Sequence, residues 1–355
     1  TADANTGVGY YALVSNTTGT RNTATGSGSL DANTTGDDNT AAGHASLSGN
    51  TTGDQNTAVG RAALNANTTA SNNTAVGYYA LLSNTTGTRN IAIGAEALDA
   101  SVGINDNVAI GYQALTANTG GGGVSGSTNV AVGSYALKSL NSTSSGDSIQ
   151  NVAIGAEAME SSTSAYRNVA IGYRAFELNQ TQNNTVAVGW YALRESVSGG
   201  SNTALGHYTL TRTTTGASNT AVGSATLQFN TTGSYNTGVG HRALDQATTA
   251  DGNTAVGYQA LYLNTTGASN TAIGVGALDA NTTTNNNTAV GYGALGENTA
   301  SNNTALGNSA LGVNTTGTSN ASVGYYALGA NTTGTYNTAM GAYALDANTT
   351  ANSNT

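Results

Sequence analysis

The histidines are the side chains best suited to bind a metal, and they recur at one position of a short repeat. His44, His207 and His241 each follow a glycine, and the closest two are two repeats apart. At a strand spacing of about 4.8 Å, two stacked repeats separate side chains by about 10 Å, which is too far for shared ligation of one zinc ion. We therefore expect surface histidines, no metal site and no cofactor.

Aspartates occupy a second fixed position of the repeat. They are Asp31, Asp99, Asp245, Asp279 and Asp346. Because they belong to different and mostly distant repeats, the paired carboxylates of a glycosidase are not indicated. The sequence also contains no nucleophile elbow, phosphate-binding loop or histidine-rich zinc signature. We predict that the protein is not an enzyme and has no catalytic residues.

Aromatic residues cluster at two adjacent positions directly after the repeat's glycine. The members that we take as a possible contact strip are Tyr78, Tyr79, Tyr112, Tyr173, Trp190, Tyr191, Tyr258, Tyr325 and Tyr326. Rings with polar tips can bind a sugar or a protein, and they can also seal a contact between chains. Both alternatives stay open, and the chain–chain contact is the interpretation that we favour.

The element that positions all these residues is a 17-residue repeat, N-[T/V/I]-A-[V/I]-G-x-x-A-L-x-x-N-T-T-G-x-x, present in twenty copies from Asn5 onward. Its fifth position is glycine in all twenty copies, and its ninth is leucine in eighteen. Examples of these structural glycines are Gly9, Gly77, Gly155, Gly257 and Gly341. An invariant glycine predicts a positive φ or a place without room for a Cβ. Because so short a unit cannot bury its own apolar face, the copies must stack.

The repeat predicts an all-β fold, a parallel β-solenoid of about twenty coils. Each copy predicts two short strands, one over Asn-Thr-Ala-Val and one centred on Ala-Leu, joined by turns. Two-residue alternation from Thr74 to Gly77 favours strand over helix. The asparagine at position one should form a ladder of amides between coils. The small residue at position three should face away from the Val/Ile side, where it would let a neighbouring chain approach closely.

The array is predicted to be one domain with a distinct middle. We divide residues 1–355 into regular coils over 5–106, variant coils over 107–201 and regular coils over 202–353. Two coils of the middle are longer, with extensions around Gly120–Gly123 and Ser144–Gly146. Insertions at one phase map to loops on one side of a solenoid, where binding loops and plain surface bulges are both possible. Neither end carries an atypical capping repeat, so we expect a piece of a longer protein or ends covered by neighbours.

Composition and charge exclude several classes of partner. Charged residues make up 8% of the chain, the net charge is −9, and there is no cysteine. Without clustered lysine and arginine we expect no nucleic-acid partner and no binding to an anionic membrane surface. Disulfides and thiolate metal sites are impossible. No apolar run approaches the roughly 20 residues that span a bilayer, so we expect no membrane insertion.

Some copies of the repeat carry a recognisable motif. Residues Asn151–Gly155 and Asn168–Gly172 both read N-V-A-I-G. They resemble the N-S-V-A-I-G signature in the head domains of YadA-type trimeric autotransporter adhesins, and related repeats occur in phage and bacterial surface fibres. The resemblance implies one coil of a left-handed parallel β-roll per motif, with three chains side by side. The longer coils and the Asn-Thr-Thr-Gly closure depart from that family's pattern.

The expected function is structural. The repeat and the resemblance favour a non-enzymatic extracellular fibre, a shaft or head like that of an adhesin or a phage fibre, located at a cell surface or on a virion. Its repeated weak contacts would give multivalent attachment to a host-surface receptor or glycan. Its main partner would be itself, in a homotrimer. One alternative is a self-assembling filament subunit of a sheath or matrix, stacking head to tail through open strand edges. Another is a glycan- or ice-binding solenoid.

Overall fold

The protein is an all-β parallel solenoid, seen in a computed structural model that describes residues 2–118, 126–141 and 149–355. None of the described residues lies in a helix. Contacts divide the chain into two compact units, Thr1–Asn184 and Thr185–Thr355. The extensions around Gly120–Gly123 and Ser144–Gly146 lie outside the described residues. The prediction of binding loops there therefore stays a prediction.

Each repeat forms one coil with one three-residue strand, over positions two to four. Unit 1 contains β1 (Thr6–Val8), β2 (Thr23–Thr25), β3 (Thr40–Ala42), β4 (Thr57–Val59), β5 (Thr74–Val76), β6 (Ile91–Ile93), β7 (Val108–Ile110), β8 (Val130–Val132), β9 (Val152–Ile154) and β10 (Val169–Ile171). Unit 2 contains β11 (Val186–Val188), β12 (Thr203–Leu205), β13 (Thr220–Val222), β14 (Thr237–Val239), β15 (Thr254–Val256), β16 (Thr271–Ile273), β17 (Thr288–Val290), β18 (Thr304–Leu306), β19 (Ala321–Val323) and β20 (Thr338–Met340). We number each coil after its strand.

Within each unit, neighbouring strands pair in parallel with the same repeat position opposite. Thr57 lies beside Thr74 and Ala58 beside Ala75, for example. The register steps 17 residues from Asn39 to Asn56, 22 residues at a longer coil and 16 residues from Asn287 to Asn303. These changes of length are absorbed outside the strands. The strand columns therefore keep their register where coil length varies.

The predicted second strand is wrong, because the Ala-Leu segment forms turns. In coil 5 the φ angles of Tyr79 and Leu81 are 58° and 51°, in the left-handed region. The Leu81 N–H donates to the next coil, to Ala97 O at 2.9 Å, whereas the Asn84 N–H donates within its own coil, to Leu81 O at 3.3 Å. Left-handed residues interrupt an extended strand. Some backbone N–H groups of this segment donate within their own turn and others to the neighbouring coil, so the segment does not form a continuous strand.

The predicted orientation of the first strand is also wrong, because position three points inward and position four outward. Ala58 and Ala75 are completely buried, whereas Val59 is 38% exposed. The interior of a coil is already occupied by the position-nine leucine and by asparagines at positions one and twelve, such as Leu64, Asn56 and Asn67. The remaining space accommodates little more than a methyl group, so the small residue lies inside.

The predicted asparagine ladder at position one is confirmed. Asn39 donates from Nδ2 to Gly53 O of its own coil at 2.8 Å, and its Oδ1 accepts the Asn56 N–H at 2.9 Å. Position twelve forms a second ladder, in which Asn50 Nδ2 donates to Asn33 Oδ1 at 2.9 Å. Asn50 Nδ2 also donates to Gly53 O, at 3.0 Å. Both ladders converge on the same buried carbonyl and replace part of an apolar core.

The position-five glycines have the backbone that the sequence predicts. Gly77 has a φ of 144°, and a Cβ there would collide with the carbonyl group of Gly94 in the next coil. Gly341, in the last coil, has a φ of 122°, but a Cβ there would meet only the Ala344 Cβ at 4.0 Å. Position five thus requires glycine for two reasons, an unfavourable φ for L-residues and the approach of the next coil.

We expect Gly77→Ala to destabilise unit 1, because the methyl group adds a collision to a conformational cost of roughly 1–3 kcal/mol. The matched control is Gly341→Ala, which has the same conformational cost without the collision. Urea unfolding followed by circular dichroism measures both losses. Equal losses in the two variants would contradict a role for contact between coils.

Candidate functional site

The outward positions two and four of the strands form a continuous surface within each unit, which we call the outer face. Position four is aliphatic in most coils and partly exposed: Ile93 and Ile154 are 38% and 39% exposed in unit 1, and Leu205 and Ile273 are 38% and 41% exposed in unit 2. Because neighbouring strands are in register, these side chains line up at the strand spacing of about 4.8 Å. Each unit therefore presents a row of exposed aliphatic groups.

Position two of the outer face is threonine in all coils outside the middle of the array except coil 6, with Ile91, and coil 19, with Ala321. In unit 2 it is threonine in seven consecutive strands, β12 to β18. Hydroxyls such as those of Thr203 and Thr254 donate to no group within the part of the chain that the structure describes. By contrast, position-thirteen hydroxyls bond to the next coil, as Thr51 Oγ1 does to Thr68 O at 3.0 Å. The position-two hydroxyls remain available to an external partner.

The aromatic residues at positions six and seven lie on the turn segment that follows the strand, and we call them the aromatic strip. Of the nine predicted members, Tyr79 and Tyr191 are half-buried and the other seven are exposed. Adjacent members contact each other: the ring centroids of Tyr78 and Tyr79 are 3.9 Å apart, and those of Trp190 and Tyr191 are 5.0 Å apart. Tyr325 and Tyr326 are 6.3 Å apart.

The aromatic strip is interrupted in several coils, such as coils 6 and 9, where alanine and glutamate occupy positions six and seven. Tyr112 contacts Tyr135, which is not among the predicted members, with the centroids 5.3 Å apart. Tyr173 has the Arg174 guanidinium 5.2 Å from its centroid. The exposed His207 and His241 extend the strip, with rings 4.9 Å from Trp190 and 5.6 Å from Tyr258. The structure thus gives local aromatic groups, and their use as a contact surface stays a prediction.

The position-ten aspartates are sheltered next to the aromatic strip. Asp245 is only 1% exposed, and among the described residues its Oδ1 has no hydrogen-bond partner, as is also true of Asp31 Oδ1 and Asp99 Oδ1. Burial raises the pKa of the Asp99, Asp245 and Asp279 carboxyls above the ordinary aspartate value. These carboxyls take up protons at a higher pH than carboxyls on the surface.

Sequence reasoning missed a group of three carboxylates that the fold brings together. The carboxylate oxygens of Glu157, Glu160 and Glu177 lie within 4.8 Å of one another. Arg174 Nε is 2.5 Å from Glu157 Oε2 and 3.9 Å from Glu177 Oε1, and Lys138 Nζ is 3.9 Å from Glu160 Oε1. Burial and then the Glu157 charge raise the pKa of Glu160. The signal in the sequence was their position, seven and ten, in adjacent coils.

Arginines on the surface have the opposite effect on two other carboxyls. Arg21 binds Asp38 with its Nε 2.6 Å from Oδ1, and Arg89 binds Asp106 with the same separation. These hydrogen bonds hold the pKa of Asp38 and of Asp106 below the ordinary aspartate value. The chain therefore contains carboxyls shifted in both directions.

No protein-family model matches the chain, and no curated protein is significantly similar to it in sequence. Among the described residues there is no helix long and apolar enough to cross a membrane. The outer face, the aromatic strip and the carboxylates are thus the features from which a function can be inferred.

We expect thermal stability to rise as the pH falls from 7 toward the ordinary carboxyl pKa. In that range the folded chain, with its raised carboxyl pKa values, binds protons that the unfolded chain does not yet bind, so protonation favours folding. Below the ordinary carboxyl pKa the sign reverses, since Asp38 and Asp106 must lose their ion pairs. Calorimetric melting between pH 7 and pH 3 measures both effects.

Asp245→Asn tests one buried carboxyl, whose Oδ2 lies 3.7 Å from Arg242 Nε and whose pKa is nevertheless raised by burial. Because the amide carries no charge at any of these pH values, the variant should be more stable than the native chain at pH 7 and should gain less on acidification. The matched control is Asp38→Asn, which should instead reduce the loss below the ordinary carboxyl pKa. An unchanged pH profile for Asp245→Asn would contradict the shift that we assign to burial.

Proposed function

We propose that the protein is a non-enzymatic extracellular structural fibre whose copies associate side by side through the outer face. The observation that carries this proposal is the row of exposed aliphatic side chains in each unit. Extended exposed apolar surfaces of this kind generally mark interaction sites. An enzyme is not favoured, because the acidic cluster around Glu157 is paired with Arg174 and Lys138.

The period and charge of the outer face favour a second copy of the same chain as the occupant. A partner fills such a row only if its own groups repeat at the strand spacing of about 4.8 Å. A parallel copy has this period by construction. Positions two and four carry no charged residue in any of the twenty copies, so two copies meet without like charges at the contact although the net charge is −9.

Three copies rather than two is the arrangement that the resemblance to adhesin heads implies. With the outer faces packed together, the aromatic strip and the turn segments would remain at the surface of the assembly. A host-surface receptor or glycan could then meet the same weak contact many times, which raises avidity without a deep pocket. Such a fibre would act at a cell surface or on a virion.

We expect light scattering behind a sizing column to give a mass near three times the 35.0 kDa of one chain. The double variant Ile154→Arg with Ile171→Arg should dissociate the assembly, because it places like charges in the outer face. The matched control is Ala95→Arg with Ala156→Arg, at position six, where Arg61 occurs naturally. This control should keep the native mass.

Three results would count against the trimeric fibre. A native chain that is monomeric at micromolar concentration would contradict association through the outer face. Open-ended polymers would favour the alternative filament subunit of a sheath or matrix. If the position-six control variant also dissociated, the assembly would be sensitive to added charge anywhere on the coil and not specifically on the outer face.

A second candidate for the outer face is ice binding, which the threonine column of unit 2 favours. Seven threonines in register, with hydroxyls unused within the described chain, form a regular column. If this face binds ice, the native chain should show thermal hysteresis, and Thr254→Tyr should reduce it because the larger side chain breaks the plane. Thr265→Tyr, at position thirteen, is the control. A native chain without hysteresis would contradict ice binding.

A further inference from the structure

Coils 15 to 19 of unit 2 contain a groove of about 600 Å³ on the turn segment, beside the strand rather than on the outer face. Much of its floor is glycine backbone. Position ten is glycine in three consecutive coils, at Gly296, Gly312 and Gly329, and position seven is glycine in two, at Gly276 and Gly293. The groove therefore arises where side chains that other coils carry are missing.

The fold does not require glycine at these positions. Position ten carries Leu82, Gln228 and Tyr262 in other coils. Cβ atoms at Gly296 and Gly312 would lie 3.3 and 3.2 Å from the carbonyl oxygens of Gly293 and Ser309, which is a tight contact, whereas a Cβ at Gly329 would require the Tyr326 ring to move. At position seven, Tyr79 and Arg174 adopt φ angles of 58° and 52°, close to the 58° of Gly293. The glycines thus open space without altering the course of the backbone.

Three tyrosines border the groove on alternate coils. Tyr258, Tyr292 and Tyr326 belong to coils 15, 17 and 19 and are 50%, 63% and 38% exposed. Tyr326 lies against its own coil, since a Cβ at Gly329 would collide with its ring. Tyr258 and Tyr292 both occupy position six, two strand spacings or roughly 10 Å apart along the coil axis. Tyr326, at position seven, adds a third aromatic ring at the border of the groove.

The polar groups of the groove are acceptors and amides without a cation. Asp279, Glu297, Gln259 and Ser309 line it, and no lysine or arginine does. The Asp279 carboxylate lies at the floor, because its Oδ1 would be 3.6 Å from a Cβ at Gly296. Within the part of the chain that the structure describes, neither Asp279 nor Glu297 forms an ion pair. The groove therefore disfavours anionic ligands.

We propose that this groove binds an extended, uncharged, β-linked oligosaccharide that lies along the coil axis. Sugar rings stack on the tyrosines, and sugar hydroxyls donate to the Asp279 and Glu297 carboxylates. The advance per coil is comparable to the length of one sugar unit in an extended β-linked chain, so alternate sugars meet a tyrosine. Only the biological role of this binding, attachment of a fibre to a glycan-bearing surface, rests on the proposed function.

Calorimetric titration of the full chain tests the groove, with the β-1,4-linked hexasaccharides of glucose and of N-acetylglucosamine as probes. We expect one of them to bind, and Tyr292→Ala to weaken binding roughly tenfold through the lost stacking surface. Gly312→Gln should abolish binding, because the side chain fills the groove as Gln228 fills position ten in coil 13. The matched controls Tyr10→Ala and Ser48→Gln change the same repeat positions in unit 1 and should bind like the native chain.

The outcomes separate the groove from the fibre when mass is measured on the same samples. Binding that Gly312→Gln removes, with the mass of the assembly unchanged, supports the oligosaccharide site. Failure of both hexasaccharides to bind overturns it, whatever the mass. Binding of tetramethylammonium in their place also overturns it, since the groove would then be a site for organic cations. Binding by a monomeric chain supports the groove and contradicts the fibre.

Discussion

A column of buried asparagine amides at position one, joined in most coils by a second at position twelve, holds the coils in register, and the rest of the structure depends on it. A position-one amide such as that of Asn39 satisfies a carbonyl of its own coil and an N–H of the next. A buried amide or carbonyl without a partner costs about 1–3 kcal/mol. A shift by one residue would therefore leave several groups per coil unsatisfied. Because register is fixed in this way, each outward position becomes a straight column.

The features of the fold that follow from local geometry could be predicted from the sequence. The amide ladder, the glycine bend at Gly77 and the strand over Thr74–Val76 are all of this kind. The inward and outward faces of the strand could not be predicted from the sequence, because two-residue alternation defines two faces without showing which one is buried. The width of the coil decides which face is buried. That width depends on how Leu81 and two asparagines together fill the interior of the coil. The turn at Leu81 was missed because a leucine with positive φ has no signal in its residue type.

The candidate sites show the same division between local and non-local information. The positions of the aromatic strip were evident from the repeat, and the structure places most of these rings on the surface. The cluster of Glu157, Glu160 and Glu177 was not evident, because its members are near only when coil 10 lies on coil 9. The groove near Asp279 was missed because it consists of absent side chains. An alignment of the repeat copies would have shown both the glutamate cluster and the groove, because each is formed by a few repeat positions in adjacent copies.

Different repeat positions make different contacts, which explains how one regular fold can carry different surfaces. Positions one, three, five, eight and nine meet the interior or the next coil, so their residue types hardly vary. Positions six, seven, ten and eleven lie on the turn segment, where their side chains contact one another within and between coils, and they range from glycine to tryptophan with the same backbone. A binding surface can therefore change coil by coil without a cost in register. The outer face is intermediate: its side chains are free of interior contacts, yet positions two and four stay uncharged in every copy. Stacking in register already disfavours charge there, because like charges on neighbouring strands repel. The proposed contact with an identical chain would add a second reason for the same pattern.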